Sequence, residues 1–353
     1  MPRKSRLSVA LLSLATAVPP HILVQEEAKA IARALFGGRT RLFDQMEPVF
    51  DNAGIARRHI VKPTDWYHGD HGWKARNQVY LEAAETLYVD AAQKALDRAG
   101  IAAADVDCLV TVSTTGIATP SLEARVAGRI GFRDDAERVP LFGLGCAGGV
   151  SGLATAARLA ATGQGRIVLF VALELCSTSI RLDKLSKANI VATALFGDGA
   201  AAAVLRSGGG GLATIEGGGE ILWPDTLGIM GWDVEDPGLG VIFDRAIPPF
   251  VEENMAMAVE RILDRLGLDR EEIDRFTCHP GGAKVIAALE TSLALPEGTL
   301  DHERAVLRDF GNMSAPTVLF VLERLLEAGM SERTLLLALG PGFTVAGLSL
   351  VRP

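Results

Sequence analysis

The chain has 353 residues, 48% of them hydrophobic and 22% charged, enough apolar material for one large α/β unit or two domains. Its formal charge is −8 and no basic block interrupts it, which sets nucleic acid aside as a partner. The cysteines, Cys108, Cys146, Cys176 and Cys278, stand far apart. Neither a metal site nor a disulfide framework is expected from such spacing, and a reducing cytoplasm fits it.

At the start of the chain, Arg3, Lys4 and Arg6 ahead of LSVALLSLATA have the outline of a secretory signal. Pro19-Pro20 and a charged QEE follow without a clean break, so the segment reads as a buried first strand. No apolar run is long enough to span a bilayer, and no membrane partner is expected.

From residue 92 onward the chain contains itself twice. ALDRAGIAAADVDCLV (95–110) lies over ILDRLGLDREEIDRFT (262–277) at an offset of 167, with Asp97, Arg98, Gly100 and Asp107 falling on Asp264, Arg265, Gly267 and Asp274. RIVLFVAL (166–173) meets RTLLLALG (333–340) at the same offset, and FGLGC (142–146) meets FGNMS (310–314) at 168. Each copy reads as a helix ending at a glycine, an acidic loop and an unbroken apolar strand. A small-residue turn, a second helix (149–161; 315–328) and two further strands follow. Strands without polar alternation are buried on both faces, so helices should cover both sides of each sheet. Two such halves back to back give a five-layered αβαβα arrangement resembling the thiolase architecture, with halves at 1–215 and 216–353. The glycine-rich seam SGGGGLATIEGGGE (207–220) reads as a flexible loop or hairpin.

Chemistry concentrates at three strand ends. PLFGLGCAGGVSGL places Cys146 in a glycine turn where a helix opens, and a helix N-terminus is expected to lower a thiol pKa. Gly143, Gly145 and Gly148 also spell the G-x-G-x-x-G of a dinucleotide loop. At least two strands precede it, however, and no acidic residue stands about 20 positions on, so an NAD-dependent oxidoreductase is the weaker reading. IDRFTCHPGG puts His279 at the end of a strand, and RDFGNMSAP puts Asn312 in the turn that matches, by the repeat, the turn carrying Cys146. A core histidine and a helix N-cap are the structural alternatives for these two residues taken singly. Together the three suit an acyl-cysteine intermediate, with two donors holding an enolate formed by loss of carbon dioxide. That chemistry needs no metal or redox cofactor.

The chain resembles chalcone-synthase-like type III polyketide synthases of bacteria, from LATAVPPHILVQ to GPGFTVAG. GLGCAGGVSGL, CHPGG and GNMSAPTVLF resemble that family's three catalytic segments and imply Cys146, His279 and Asn312 as the catalytic residues. The resemblance further implies a gatekeeping phenylalanine at Phe196 in ALFGDGAAAAVL and an active-site loop at Gly340, Pro341, Gly342 and Phe343. Met230 and Trp232 in GIMGWDVEDPG stand near a second gatekeeping position that lacks its phenylalanine. Thr119 falls where plant members reach across a dimer, and Cys176 is either a cavity-lining or a packed thiol. With Ala118 and Thr119, Ser314 suits a roomy cavity or tunnel. For CoA, Arg57, Arg58, Gly282 and Lys284 are the candidate contacts, the cations being otherwise surface charges. The implied activity is iterative condensation of malonyl-CoA onto an acyl-CoA starter by a homodimer. The RVP, ARNQVYLEAA and GWD segments are most similar to enzymes that take fatty acyl starters and make alkylpyrones or alkylresorcinols. The neighbouring alternative is an initiating ketoacyl synthase, whose histidine segment usually reads HQAN rather than HPGG.

Overall fold

The computed structural model describes residues 7–38 and 41–353, so Arg3, Lys4 and Arg6 of the signal-like segment lie outside the described residues. Strand β1 (Val9–Ala17) leads into a small ribbon, β2 (His21–Val24) with β3 (Arg57–Ile60), between which lie α1 (Gln25–Phe36), α2 (Arg41–Met46) and α3 (Pro48–Asn52). The first half continues through α4 (Trp73–Ala99), β4 (Cys108–Val112), α5 (Leu122–Ile130), β5 (Glu137–Leu141) and α6 (Gly148–Ala160). It closes with β6 (Ile167–Leu175), α7 (Lys187–Leu195) and β7 (Asp198–Gly211). The second half opens with β8 (Ala213–Leu222), a ribbon of β9 (Met230–Glu235) and β10 (Gly238–Phe243), and α8 (Ile247–Leu266). It ends with β11 (Arg275–Cys278), α9 (Ala283–Ser292), α10 (Asp301–Phe310), α11 (Thr317–Ala328), β12 (Arg333–Gly340) and β13 (Thr344–Val351).

Nine strands run in the order β11-β12-β13-β8-β1-β7-β6-β4-β5. The halves meet where β1 pairs with β8, only over Val9–Leu11 against Ala213–Ile215. Alternation along each strand sorts the core into layers. Val168, Phe170 and Ala172 of β6 face α6 and α11, whereas Leu169, Val171 and Leu173 face α4 and α5. In β12, Leu336 and Ala338 join that same central layer, while Leu335, Leu337 and Leu339 pack under α8 and α9. The helices α6 and α11 are therefore sandwiched between two half-sheets, with α4/α5 and α8/α9 outside: five layers, as the repeat implies. Both repeat helices stop at a left-handed glycine, Gly100 (φ 65°) after α4 and Gly267 (φ 65°) after α8.

The glycine-rich seam is not the loop or hairpin expected of it. Residues 198–211 and 213–222 are both strands, and they straddle β1 instead of pairing with each other. Leu212 alone joins them, its N–H donating to Leu11 O where β1 has a bulge. A Cβ at Gly211 would lie 2.4 Å from that same carbonyl, so the crossing requires glycine there.

Candidate active site

Cys146 sits in a single turn of 3-10 helix, Gly145–Ala147, that runs into α6. Two close approaches shape this turn. A Cβ on Gly340, at the end of β12, would fall 2.7 Å from the Ala147 N and 2.8 Å from the Leu144 O. One on Gly149 would fall 2.2 Å from the Ala315 carbonyl oxygen of the facing half. Small residues are needed here because α6 and the α11 turn touch at the pseudo-dyad, as the internal repeat implies.

His279 follows β11 and is held by its own backbone, its N–H donating to Leu337 O (2.8 Å) and its carbonyl accepting from Gly281 N (3.0 Å). The residue is 4% exposed, and neither Nδ1 nor Nε2 has a hydrogen-bond partner among the described residues. Asn312 is held against the Phe196 segment, its N–H donating to Leu195 O (2.9 Å) and its carbonyl accepting from Gly197 N (3.0 Å). Its side-chain Nδ2 donates to Gly281 O (3.1 Å), two residues beyond His279, and Oδ1 accepts from Ser314 N (2.8 Å). Ser314 has φ 58°, unusual for a residue with a Cβ, and Thr317 ties the turn by donating to its carbonyl (2.8 Å).

Burial governs the electrostatics. It pushes the Cys146 thiol up to about 11, with hydrogen bonding by Ser314 and Asn312 opposing and the buried Glu174 adding to the rise. The expected lowering at a helix start is thus overturned, because desolvation of a thiolate outweighs the field of one turn. Burial also drives His279 down to about 3, so the resting pair is a neutral thiol and a neutral imidazole. Glu174 itself is raised to about 7 by burial, although it accepts from the Thr114 N–H (2.9 Å) and from the N–H and Oγ1–H of Thr115 (3.0 and 2.8 Å).

A narrow pocket, partly open to solvent, reaches Cys146 and is walled by Phe196, Met230, Trp232, Ser314 and Pro341, all expected from the sequence. Gly145, next to the thiol, also lines it, as do Gly231, Val241, Ile242 and Phe243, which were not foreseen. The β9–β10 ribbon forms one side, and the alternating GLGVIF after a Pro-Gly turn was the available signal. Glu174 was missed too, although a lone acid ending the apolar run IVLFVALEL marks a carboxylate that must be cradled.

Other expectations need correction. Arg58 is fully buried and donates to Gln25 Oε1 (3.0 Å), Thr193 O (2.6 Å) and Ala194 O at the C-terminal end of α7. It is a helix-end clamp, out of reach of CoA. Arg57 and Lys284 are exposed, Lys284 in the first turn of α9, whose N-cap is the buried Gly282, and none of the three lines the Cys146 cavity. Thr119 is exposed and Ala118 lines a separate surface cleft with Ile117 and Phe142, so neither lines the Cys146 cavity of its own protomer. Cys176 is fully buried among apolar side chains rather than on the cavity wall. Phe343 is likewise buried, stacked on Trp223 (5.9 Å) and edge-on to Phe250 (5.3 Å), while Gly340 and Gly342 shape the loop from behind.

Among the described residues no cluster of metal-ligating side chains occurs, and no helix is long and apolar enough to cross a membrane. The N-terminal domain of the chalcone and stilbene synthases matches residues 2–209, and their C-terminal domain matches residues 218–352. A 1,3,6,8-tetrahydroxynaphthalene synthase from Streptomyces peucetius subsp. caesius is 38% identical over 338 residues, 93% of this chain and 89% of that protein. A 3,5-dihydroxyphenylacetyl-CoA synthase from Streptomyces toyocaensis is 31% identical over 316 residues, 85% of this chain and 81% of that one. The crystal structure of the tetrahydroxynaphthalene synthase from Streptomyces coelicolor A3(2), a bacterial type III polyketide synthase, superposes with a TM-score of 0.91 at 32% identity, covering 97% of this chain and 99% of that one. The chain belongs to the chalcone and stilbene synthase family and is a type III polyketide synthase, an acyltransferase of decarboxylative malonyl-CoA condensation.

Proposed function

We propose that Cys146 carries the growing acyl chain and that His279 and Asn312 form the decarboxylation site. The observation that carries this reading is the His279 ring, buried with both nitrogens unpartnered, on a loop whose Gly281 carbonyl accepts from the Asn312 amide, itself held by the turn that mirrors the Cys146 turn. A neutral imidazole can take the Cys146 proton as sulfur attacks the starter thioester, then return it to the departing CoA thiol. Malonyl-CoA next loses carbon dioxide. The electrons of the broken C–C bond pass into an enolate, whose oxygen accepts from His279 and Asn312. The enolate carbon attacks the acyl-cysteine, the S–C bond breaks, and a CoA thioester two carbons longer leaves. All of these steps run on side chains and CoA thioesters, without a cofactor.

For the starter, the reading is a medium- or long-chain fatty acyl-CoA, giving an alkylpyrone or alkylresorcinol. It rests on segment similarity and on the small Gly145 and Ser314 beside the thiol. A malonyl-primed aromatic product is the second reading, supported by the names of the relatives and by the bulk of Trp232, Phe196 and Met230 around the cavity. Mass analysis of products from labelled malonyl-CoA, alone and with a panel of acyl-CoA starters, separates the two. Cyclised products only with fatty starters support the first, and equal yield without any starter supports the second. A single two-carbon extension from a carrier protein would instead indicate the initiating ketoacyl synthase.

The working unit is a homodimer. A second copy would cover the cleft carrying the exposed Ile117 and Phe142, next to Thr119 and the free edge of β5. Sedimentation of the wild type and of Phe142→Asp tests this, and a wild type that sediments as a monomer would refute it.

A further inference from the structure

We infer that Glu303 is a positioning residue for decarboxylation, setting His279 against Asn312 through the backbone of β11. The inference rests on the roles proposed above for those two residues. β4 and β11 occupy matching places in the two halves, yet their surroundings differ. β4 lies between two strands, β6 and β5, whereas β11 has only β12 and is the outermost strand of the sheet. Along a parallel edge strand, alternate amides point inward and outward. His279 N–H points inward to Leu337 O, and the neighbouring Cys278 N–H points outward, where the sheet offers no acceptor.

Glu303 supplies the missing acceptor. Its side chain is completely buried, Oε1 accepts from Cys278 N (2.9 Å), and Oε2 faces Arg275 NH2 at 3.4 Å. Burial raises its pKa, so its placement is a costly one that the fold nevertheless keeps. The residue stands in the first turn of α10, and the same helix ends at Phe310, two residues before Asn312. One rigid helix thus carries Asn312 at one end and grips the histidine strand at the other. The His279 ring, lacking any partner of its own, takes its place from the backbone that Glu303 holds. Two donors that must converge on one oxygen are sensitive to such a tie, because a misplacement of about 1 Å lowers rates about 100-fold.

The test compares Glu303→Gln, which keeps an acceptor for Cys278 N–H, with Glu303→Leu and Glu303→Ala, which do not. Carbon dioxide release from malonyl-CoA gives kcat and KM, thermal unfolding reports folding, and iodoacetamide reports Cys146 access. Expected are a kcat within about threefold of wild type for the glutamine variant and a loss of about 10- to 100-fold for the others. KM and the alkylation rate of Cys146 should stay unchanged. Should the leucine variant fail to fold, the alanine and glutamine pair carries the comparison. Full kcat in a folded alanine or leucine variant, or an equal loss in glutamine and alanine, overturns the inference. A wild type that releases no carbon dioxide overturns instead the reading of His279 and Asn312.

Discussion

The two halves use one plan to opposite ends. In the N-terminal half, the turn before the central helix presents a sulfur at Cys146. The matching turn of the C-terminal half presents Ser314 at the equivalent point and the Asn312 amide two residues earlier. The first half closes the outer edge of β4 with another strand, β5, and the second closes β11 with a buried carboxylate on a helix. Duplication therefore supplies the scaffold, and the chemistry comes from the positions where the copies diverge. On the roles proposed above, one half would hold the covalent intermediate and the other the enolate.

The sharpest way to break this division is to disable each half alone. Cys146→Ala should abolish condensation while still releasing carbon dioxide from malonyl-CoA, since the enolate donors are intact. Asn312→Ala should lower carbon dioxide release by about 100- to 1,000-fold and leave iodoacetamide labelling of Cys146 in place. Loss of both activities in both variants would mean that the halves do not divide the work.

A second prediction concerns the thiol. With its pKa near 11, raised by burial, the thiolate fraction of Cys146 at neutral pH is about 100-fold below that of a thiol titrating at 9. Alkylation should therefore keep rising with pH beyond 9, and His279→Ala should leave the profile where it is, because the histidine is already neutral. A midpoint below 8 that moves in the histidine variant would show that the halves share an ion pair at rest.

Smaller effects sharpen the packing side. Gly340→Ala pushes a methyl against the Ala147 N and Leu144 O, backbone of the opposite half that cannot step aside. It should cost about 1–3 kcal/mol in denaturant unfolding and impair Cys146 acylation more than carbon dioxide release. Smallest of all is the pair of repeat arginines. Arg98 ion-pairs with Glu323 (2.6 Å) and donates to Leu14 O at a half-exposed site, whereas its counterpart Arg265 donates to Glu220 O (2.9 Å). Arg98→Ala should cost under about 1 kcal/mol, and Arg265→Ala less, by the same unfolding measurement.

Much of this was legible before any coordinates. The layers follow from apolar strands and a repeat, both properties of short segments. Cys146, His279 and Asn312 were readable because each stands in or beside a small-residue turn, although only His279 follows directly on a strand, Asn312 coming instead after α10. What escaped depends on distant parts of the chain. Arg58 reads as a surface cation until α7, well over 100 residues on, brings its terminal carbonyls to it. The Cys146 pKa depends on how completely the opposite half closes over the thiol. Val241, Ile242 and Phe243 became cavity wall only through the pairing of β9 with β10. A glycine run looks like a loop, and only its neighbours make Ser207–Gly211 a strand.

The place of β1 has a consequence for how the chain is born. It lies between β7 and β8, and its first pairings, Val9 with Ser207 and with Ile215, join residues about 200 positions apart. At about 5–20 residues per second, a ribosome needs ten seconds or more to deliver those partners. Until then β1, apolar and unpaired on both edges, is a sticky ribbon. Pairings of such long sequence separation also slow folding. Strand β1 thus waits for partners about 200 residues on, and expression yield should depend on what shields Val9–Ala17 during synthesis.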